Sequence, residues 1–204
     1  MSSPIPSRLR AGALRIAALT CVAVFASTGV AFASCPSQSV TTPFTQWGDS
    51  NSYFLIPGGS FEGTPDQVGW TLSGASLTPG NEPFYVNGSG DSQSLTIAAG
   101  GSATSPYFCV DNTMSDLRFF AQEATAGSDL QVQALVQTTN GVQTYPISDL
   151  ADGSITSWAP SDPIGDAGNL PDGETLSVAL EFSVPQSAGS WQIDDIYVDP
   201  YRSG

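Results

Sequence analysis

The sequence contains no histidine and no lysine, and these absences remove most of the common catalytic groups. Without histidine there is no Ser-His-Asp triad, no Cys-His pair and no imidazole ligand for a metal. Without lysine there is no Schiff-base chemistry. A carboxylate pair of the glycosidase kind remains, and Glu123 and Glu181 both fall in predicted strands, but a solvated position is the simpler interpretation for Glu181. We therefore expect that the protein is not an enzyme.

Positive charge is also scarce, since five arginines stand against 19 acidic residues and the formal net charge is −14. Three of those arginines, Arg8, Arg10 and Arg15, lie near the N-terminus. A strongly acidic surface repels phosphate backbones and anionic lipid headgroups, which argues against nucleic acids and membrane surfaces as partners. It is compatible with cation binding and with a neutral polymer such as a polysaccharide. Solubility outside the cell explains the charge equally well.

Outside one N-terminal run, no long window has apolar residues at helical spacing. That run, Ile16–Val30, follows the three N-terminal arginines and precedes Ala31–Ala33, a small-residue pattern typical of signal-peptide cleavage. It is short for a membrane span, and no basic stop-transfer cluster follows it. We predict a secretory signal peptide over residues 1–33, an extracellular protein and no membrane insertion after processing. Cys35 also permits a lipoprotein signal, but Phe32 stands where that signal has an aliphatic residue.

Cysteine is scarce as well, with three residues in the chain. Cys21 lies in the apolar part of the predicted signal peptide and is removed with it. Cys35 and Cys109 remain, and an exported compartment allows them to pair. Because two cysteines allow a single connectivity, we predict a Cys35–Cys109 disulfide.

Short segments of strand-forming residues are abundant, and Gly, Pro, Asn and Asp separate them. The strictest alternation runs over Leu176–Val184, where every second residue is apolar. Many short strands at roughly 8–12-residue spacing indicate an all-β protein, an antiparallel β-sandwich. Residues 34–55 are polar but carry several aromatics, so we expect an N-terminal extension packed on the domain. The sandwich domain itself is predicted over residues 56–204.

The clearest local element is a hairpin. Leu130–Gln137 alternates, and Asn140-Gly141 is the preferred two-residue turn before the return strand. The predicted cross-strand neighbours are Val136 with Tyr145 and Ala134 with Ile147. One face of this hairpin is then apolar and includes Tyr145, while the other carries glutamines.

The last predicted strand, Trp191–Val198, contains two adjacent carboxylates. Neighbouring side chains of a strand point to opposite faces, so either Asp194 or Asp195 points to the apolar side. An unpaired carboxylate in an apolar layer is costly. We expect that carboxylate to lie at a sheet margin, to accept several hydrogen bonds or to hold a cation.

Several motifs occur in an order typical of one family. They are, in chain order, Gly59–Gly63, Gly69-Trp70, Ser94–Ile97, Ser157-Trp158 and Trp191–Ile196. Together they resemble the galactose-binding-like jelly rolls, in particular carbohydrate-binding modules of the family 4/9 kind. A longer pattern resembles a set of small secreted actinobacterial proteins, and it adds the motifs Trp47–Asp49, Gly80–Pro83, Ala103–Pro106, Cys109-Val110 and Asp199–Tyr201. The resemblance implies a jelly-roll sandwich with Trp70, Trp158 and Trp191 at core positions, and it assigns no sugar-binding residue, because those vary within the family.

The resemblance also implies a structural calcium ion. In such modules the Glu of the Phe-Glu motif and an Asp of the final pair approach each other at one edge of the sandwich. Glu62, Asp194 and Asp195 occupy those positions, and calcium prefers such hard oxygen ligands. The alternative is a set of edge carboxylates held by backbone N–H groups.

The glutamine face of the hairpin is the predicted ligand surface. It carries Gln131, Gln133, Gln137 and Thr144. Amides offer both a donor and an acceptor, which suits neutral sugar hydroxyls, and Tyr85 and Tyr107 are candidate stacking partners. We therefore predict that the protein binds a glycan or a cell-envelope polysaccharide. The alternative is a structural or surface-interaction protein without a small ligand, since polar alternation is normal in antiparallel sheets.

Overall fold

The computed structural model describes residues 35–111, 113–114, 116–165, 175–185 and 189–201. The predicted signal peptide, residues 1–33, lies outside these ranges. None of the helices in the described ranges has the length and hydropathy needed to cross a membrane.

Eleven strands, one short 3-10 helix and one short α-helix run through the described residues. In chain order they are the 3-10 helix Thr45–Trp47, β1 (Phe54–Leu55), α1 (Pro65–Val68), β2 (Thr71–Pro79), β3 (Gln93–Thr104), β4 (Phe108–Asp111), β5 (Asp116–Thr125), β6 (Leu130–Thr138), β7 (Gly141–Leu150), β8 (Ala159–Pro160), β9 (Ile164–Gly165), β10 (Thr175–Ser183) and β11 (Ser190–Val198).

The strands form one curled sheet in the order β7-β6-β10-β3-β11-β5-β8, with β1, β2, β4 and β9 paired off this path. Every pairing between strands is antiparallel, which confirms the predicted all-β antiparallel fold. β3 joins the two halves, because residues 95–98 pair with β11 and residues 102–104 pair with β10. At this crossing a Cβ on Gly101 would lie 2.4 Å from the carbonyl oxygen of Gly74, so β2 approaches β3 closely only with glycine there.

The two halves of the sheet face each other as the layers of a sandwich. The rings of Phe119 on β5 and Phe182 on β10 lie 5.0 Å apart, although two strands separate β5 from β10 within the sheet. The alternation predicted for β10 is confirmed, since Leu180, Phe182 and the following Val184 are buried between the layers. Trp191 is fully buried in the same core.

The β6–β7 hairpin differs from its predicted register by two residues. Thr138 pairs with Gly141, so the turn is one residue earlier than expected, and Tyr145 lies opposite Ala134. The Thr138 side chain decides this turn, because its Oγ1 donates to the Gly141 carbonyl and accepts from the Asn140 N–H. A shift of two residues leaves each side chain on its predicted face. Tyr145 is nevertheless 48% exposed, because β7 is the edge strand.

A second aromatic cluster covers the outer face of β5 and β11. Phe44 and Tyr53 from the N-terminal segment are fully buried there against Phe120 and Tyr197. The predicted core tryptophan Trp158 is only partly buried at this outer cluster, because it precedes the short edge strand β8.

Arg118 ties this segment to the sheet. Its guanidinium lies 4.3 Å from the centre of the Phe44 ring, and its Nη1 is 2.5 Å from Asp49 Oδ2. Its Nε and Nη2 donate to the carbonyl oxygen of Ser161. This buried guanidinium is therefore fully engaged within the fold.

The structure joins Cys35 to Cys109 by a disulfide, as the cysteine count predicts, with 5.5 Å between the two Cα atoms. Cys109 lies on β4, which is paired with β10. The bond therefore fixes the beginning of the described chain to the edge of one layer.

Candidate functional site

The outer face of the layer β7-β6-β10-β3-β2 carries two rows of polar side chains. Directly paired residues of antiparallel strands share a face, so the register identifies each row. The first row, in strand order, is Asp149, Gln131, Ser183, Ser102 and Ser73. The second row is Pro146, Gln133, Glu181, Thr104 and Thr71. We call these ten residues the polar rows.

The polar rows offer neutral hydrogen-bonding groups to solvent. All ten residues are exposed or half-buried. Two of the ten residues are acidic, Asp149 on the edge strand β7 and Glu181, whose Oε2 accepts a hydrogen bond from Thr104 Oγ1 at 3.3 Å. Adjacent strands lie ~4.8 Å apart, so each row extends ~19 Å across five strands. Such a surface can bind the hydroxyl groups of an extended neutral polymer.

The predicted ligand residues divide into two groups. Gln131 and Gln133 lie within the polar rows. Thr144 is paired with Leu135 and Gln137 with Val142, so these two residues share the face but lie towards the turn, among apolar neighbours. The structure therefore brings together two of the four predicted residues.

The polar rows contain no aromatic side chain. The candidate stacking residues Tyr85 and Tyr107 are exposed, but neither is one of the ten residues of the polar rows. Tyr145 belongs to the opposite face of the hairpin, since its partner is Ala134. The ten residues of the polar rows therefore offer a sugar hydrogen bonds and no stacking surface of their own.

Glu123 and Glu181 do not face a common cleft. Glu181 is on the outer face of β10, whereas Glu123 lies opposite Trp191 on the inner side of β5. The Oε2 atom of Glu123 accepts the Gly153 N–H at 3.0 Å. The two carboxylates belong to different layers and different faces.

The paired aspartates of β11 are both completely buried. The register of β11 against β5 shifts between Asp194 and Tyr197, and Asp195 adopts a φ of 46°. This bulge breaks the alternation, so the two carboxylates do not divide between apolar and solvent sides as a regular strand would place them. The following residue, Ile196, exchanges hydrogen bonds with residues 56–59 instead.

The hydrogen bonds of the two carboxylates differ sharply. Asp194 accepts the Glu82 N–H at 3.2 Å and the Asp195 N–H at 2.9 Å. Both carboxylate oxygens of Asp195 are buried and make no hydrogen bond of normal geometry, although the backbone N–H of Asn87 lies close enough to lower the pKa of Asp195. A buried carboxylate in this state must be neutral or must bind a cation.

The Glu62 carboxylate accepts hydrogen bonds from nearby backbone N–H groups. Its Oε1 accepts the N–H groups of Ser92 and Gln93 at 2.6 and 2.7 Å, and its Oε2 accepts the Ser92 hydroxyl at 3.3 Å. These are the bonds expected for an edge carboxylate held by backbone N–H groups. In the described ranges, no three acidic or cysteine side chains already surround one point as a preformed metal site does.

Burial and mutual repulsion raise the pKa values of Asp194, Asp195 and Glu82. Burial raises the pKa of Asp194 to about 9, and the charge of Asp195 adds to the rise. Burial raises the pKa of Asp195 to about 8, and the charges of Asp91 and Glu82 contribute. The pKa of Glu82 is also raised, mainly by its burial. We call Glu62, Glu82, Asp91, Asp194 and Asp195 the acidic cluster.

Sequence reasoning missed Glu82 and Asp91. Both lie in the turn-rich segment between β2 and β3, where no periodicity relates a side chain to the last strand. The motif Gly80–Pro83 was the available signal, but it did not indicate that Glu82 is fully buried.

No protein-family model matches the chain, and no curated protein sequence matches it. Solved structures do match its fold. The CBM22-1 xylan-binding domain of Paenibacillus barcinonensis Xyn10C is 14% identical, with a TM-score of 0.49, over 83% of this chain and 100% of that chain. The family 11 carbohydrate-binding module of Clostridium thermocellum Lic26A-Cel5E is 12% identical, with a TM-score of 0.44, over 83% and 99%. The K1 cleaved adhesin domain of Porphyromonas gingivalis Lys-gingipain is 15% identical, with a TM-score of 0.45, over 74% and 99%.

The presence of carbohydrate-binding modules among these structures agrees with the resemblance found in the sequence motifs. At such identities the comparison concerns the fold alone and gives no residue of this chain a role.

Proposed function

We propose that the protein is a secreted, non-catalytic domain that binds a neutral polysaccharide, such as one of the cell envelope, through the polar rows. The observation that carries this proposal is the alignment of amide and hydroxyl side chains across four strands, β6, β10, β3 and β2. Each such group donates and accepts hydrogen bonds, as sugar hydroxyls do. Few charges interrupt the rows, although the chain as a whole is strongly acidic.

The first prediction tests this surface by removing two amides. Replacing Gln131 and Gln133 together with alanine removes the amide hydrogen bonds that β6 offers to a ligand, at about 1 kcal/mol each. We expect the affinity for the polysaccharide to fall roughly thirtyfold. The melting temperature should not fall, because both side chains reach solvent. Affinity electrophoresis in cellulose derivatives, xylan, β-glucan, galactan and mannan measures the effect.

The matched control is Gln143→Ala, because Gln143 is an exposed glutamine on the opposite face of the same hairpin. It should bind like the wild type. Wild-type protein that is retained by none of these polysaccharides, soluble or insoluble, would remove the proposal.

The second candidate function is surface interaction without a small ligand. The observation in its favour is the absence of aromatic side chains from the polar rows. Under this alternative the double substitution would leave glycan retention at the wild-type level. The same measurements therefore separate the two functions.

We also propose that the acidic cluster binds a structural calcium ion, as the family resemblance implies. Asp195 supports this proposal, because both its oxygens are buried and make no hydrogen bond of normal geometry. Asp194, Glu62 and Asp91 are the neighbouring carboxylates that would hold the ion with it. Calcium would neutralise charges that have few cationic partners, since Arg118 is the one basic side chain in the described ranges and is paired with Asp49.

A further inference from the structure

The segment between β2 and β3 presents two adjacent aromatic residues to solvent. Phe84 is 37% exposed and Tyr85 is 51% exposed. Trp47, from the 3-10 helix, packs edge-on against Phe84 with 4.8 Å between ring centres. We call Trp47, Phe84 and Tyr85 the aromatic tip.

The aromatic tip rests on a buried base. The Phe84 ring lies 5.8 Å from the ring of Phe120, and Trp47 lies 5.3 Å from the same ring. Phe120 is fully buried on the outer face of β5. The tip is therefore a continuation of the second aromatic cluster, and its position relative to the sheet is fixed.

A buried carboxylate holds the backbone of the tip. The two oxygens of Glu82 accept the N–H groups of Phe84 at 2.5 Å and of Val86 at 2.8 Å. The N–H of Glu82 in turn donates to Asp194 on β11. Both oxygens of the Glu82 carboxylate accept hydrogen bonds from its own segment. The carboxylate therefore rigidifies the tip, and it is not available to a ligand there.

Tyr85 adopts a backbone conformation that its residue type disfavours. Its φ is 53°, in the left-handed region that aromatic residues rarely adopt. About half of Tyr85 remains exposed, so burial of the ring does not compensate for the free-energy cost of this backbone conformation. Strained residues that the surrounding structure holds in place are concentrated at ligand sites. The conformation keeps an aromatic ring at the surface.

The charges of the region restrict the chemistry of a ligand. Arg118 is the one basic side chain in the described ranges and is buried with its own partners, so a phosphate, sulfate or carboxylate would find no cation here. Next to the tip, Asn87 Nδ2 donates to Asp91 Oδ2 at 3.0 Å in an exposed pair. An aromatic ring beside amide and carboxylate groups matches a neutral sugar, which has an apolar C–H face and peripheral hydroxyls.

We propose that the aromatic tip is a second carbohydrate contact, on which the apolar face of a neutral sugar ring stacks against Tyr85. This inference rests on the proposed function. The tip stands on the outer face of the β5 layer, whereas the polar rows occupy the outer face of the other layer. One protein molecule can then hold two segments of polysaccharide, which increases retention on an insoluble polymer through avidity.

The test replaces Tyr85 with asparagine. Asparagine tolerates the left-handed region and removes the ring, so the fold should persist. We expect roughly tenfold weaker binding of the polysaccharide that the wild type retains, with a still larger loss on its insoluble form. Tyr85→Phe keeps the ring and should bind like the wild type. Tyr145→Asn removes an equally exposed tyrosine from another surface and should also bind normally.

A change in tryptophan fluorescence on addition of the oligosaccharide provides a second readout, and Trp47→Phe should abolish the change that arises from the tip. If Tyr85→Asn lowers the melting temperature markedly, Tyr85→Gly takes its place, because glycine adopts a positive φ freely. Suppose that Tyr85→Asn binds normally while the Gln131→Ala, Gln133→Ala double variant loses binding. The proposed role of the aromatic tip would then be wrong, and the proposed function would stand. A wild type that binds no polysaccharide would overturn both this inference and the proposed function.

Discussion

Removal of the Cys35–Cys109 disulfide is expected to lower the free energy of unfolding by about 4 kcal/mol, because the bond closes a loop with a sequence separation of 74 residues. In the chain-entropy model, a loop of this length restricts the unfolded ensemble far more than the folded one. The folded protein should persist at moderate temperature, since Phe44 and Tyr53 still anchor the segment within the second aromatic cluster. Urea unfolding of the oxidised protein and of the Cys35→Ser, Cys109→Ser double variant measures the difference.

Each single serine variant serves as a control and should match the double variant, because either one breaks the bond. Limited proteolysis should cut the reduced protein before residue 41, where Thr41 begins to pair with Tyr53. Equal urea midpoints for the oxidised protein and the double variant would contradict the entropic account. Two free thiols in protein recovered from the culture medium would contradict the disulfide itself.

Calcium is expected to stabilise the folded protein by about 2.7 kcal/mol when its concentration is a hundred times the dissociation constant. The acidic cluster exists only in the folded chain, so the ion binds the native state in preference to the unfolded one. Thermal unfolding in millimolar calcium, in magnesium and in chelator measures the effect. Magnesium should act weakly, since it requires a stricter octahedral geometry. Identical melting temperatures in all three conditions would show that the acidic cluster is held by backbone hydrogen bonds and retained protons.

The raised pKa values of the two aspartates predict how they make the stability of the metal-free protein change with pH. Burial raises the pKa values of Asp194 and Asp195 to about 9 and about 8, far above the ordinary value of 3.8. From about pH 4, near the ordinary pKa, to about pH 9, near the higher of the raised pKa values, the native state holds protons that the unfolded state releases. The contribution of Asp194 and Asp195 to stability should therefore be greatest at the low end of that window and fall as the pH rises through it. Calcium competes with those protons, so its stabilising effect should grow over the same range.

Asp195→Asn separates the contributions of charge and metal. The amide is neutral and similar in shape, so this variant should exceed the wild type in stability at pH 8 in chelator. It should also lose most of its response to calcium. Asp66→Asn is the control, because Asp66 is an exposed acid in α1, and it should change neither property. An Asp195→Asn variant that retains the full calcium response would exclude Asp195 as a ligand.

Local patterns in the sequence were sufficient for the properties that depend on neighbours along the chain. The alternation of Leu176–Val184 predicted the buried face of β10, because the two-residue period of a strand is local. Only Cys35 and Cys109 remain after removal of the predicted signal peptide, so the number of cysteines was enough to predict the disulfide. The Asn140-Gly141 signal predicted a hairpin, although Thr138 moved its turn by one residue and its register by two.

Only the tertiary structure decided which strands are adjacent and where the alternation fails. Gln133, Glu181 and Thr104 are far apart in sequence, and they form one row because β10 pairs with β6 on one side and with β3 on the other. Both aspartates are buried at the bulge after Asp194, where the Glu82 N–H donates to the Asp194 carboxylate. These features depend on register and backbone geometry between distant segments. A periodicity within one strand carries no information about its partners, so the sequence alone could indicate a polar face and an acidic strand but not their arrangement in space.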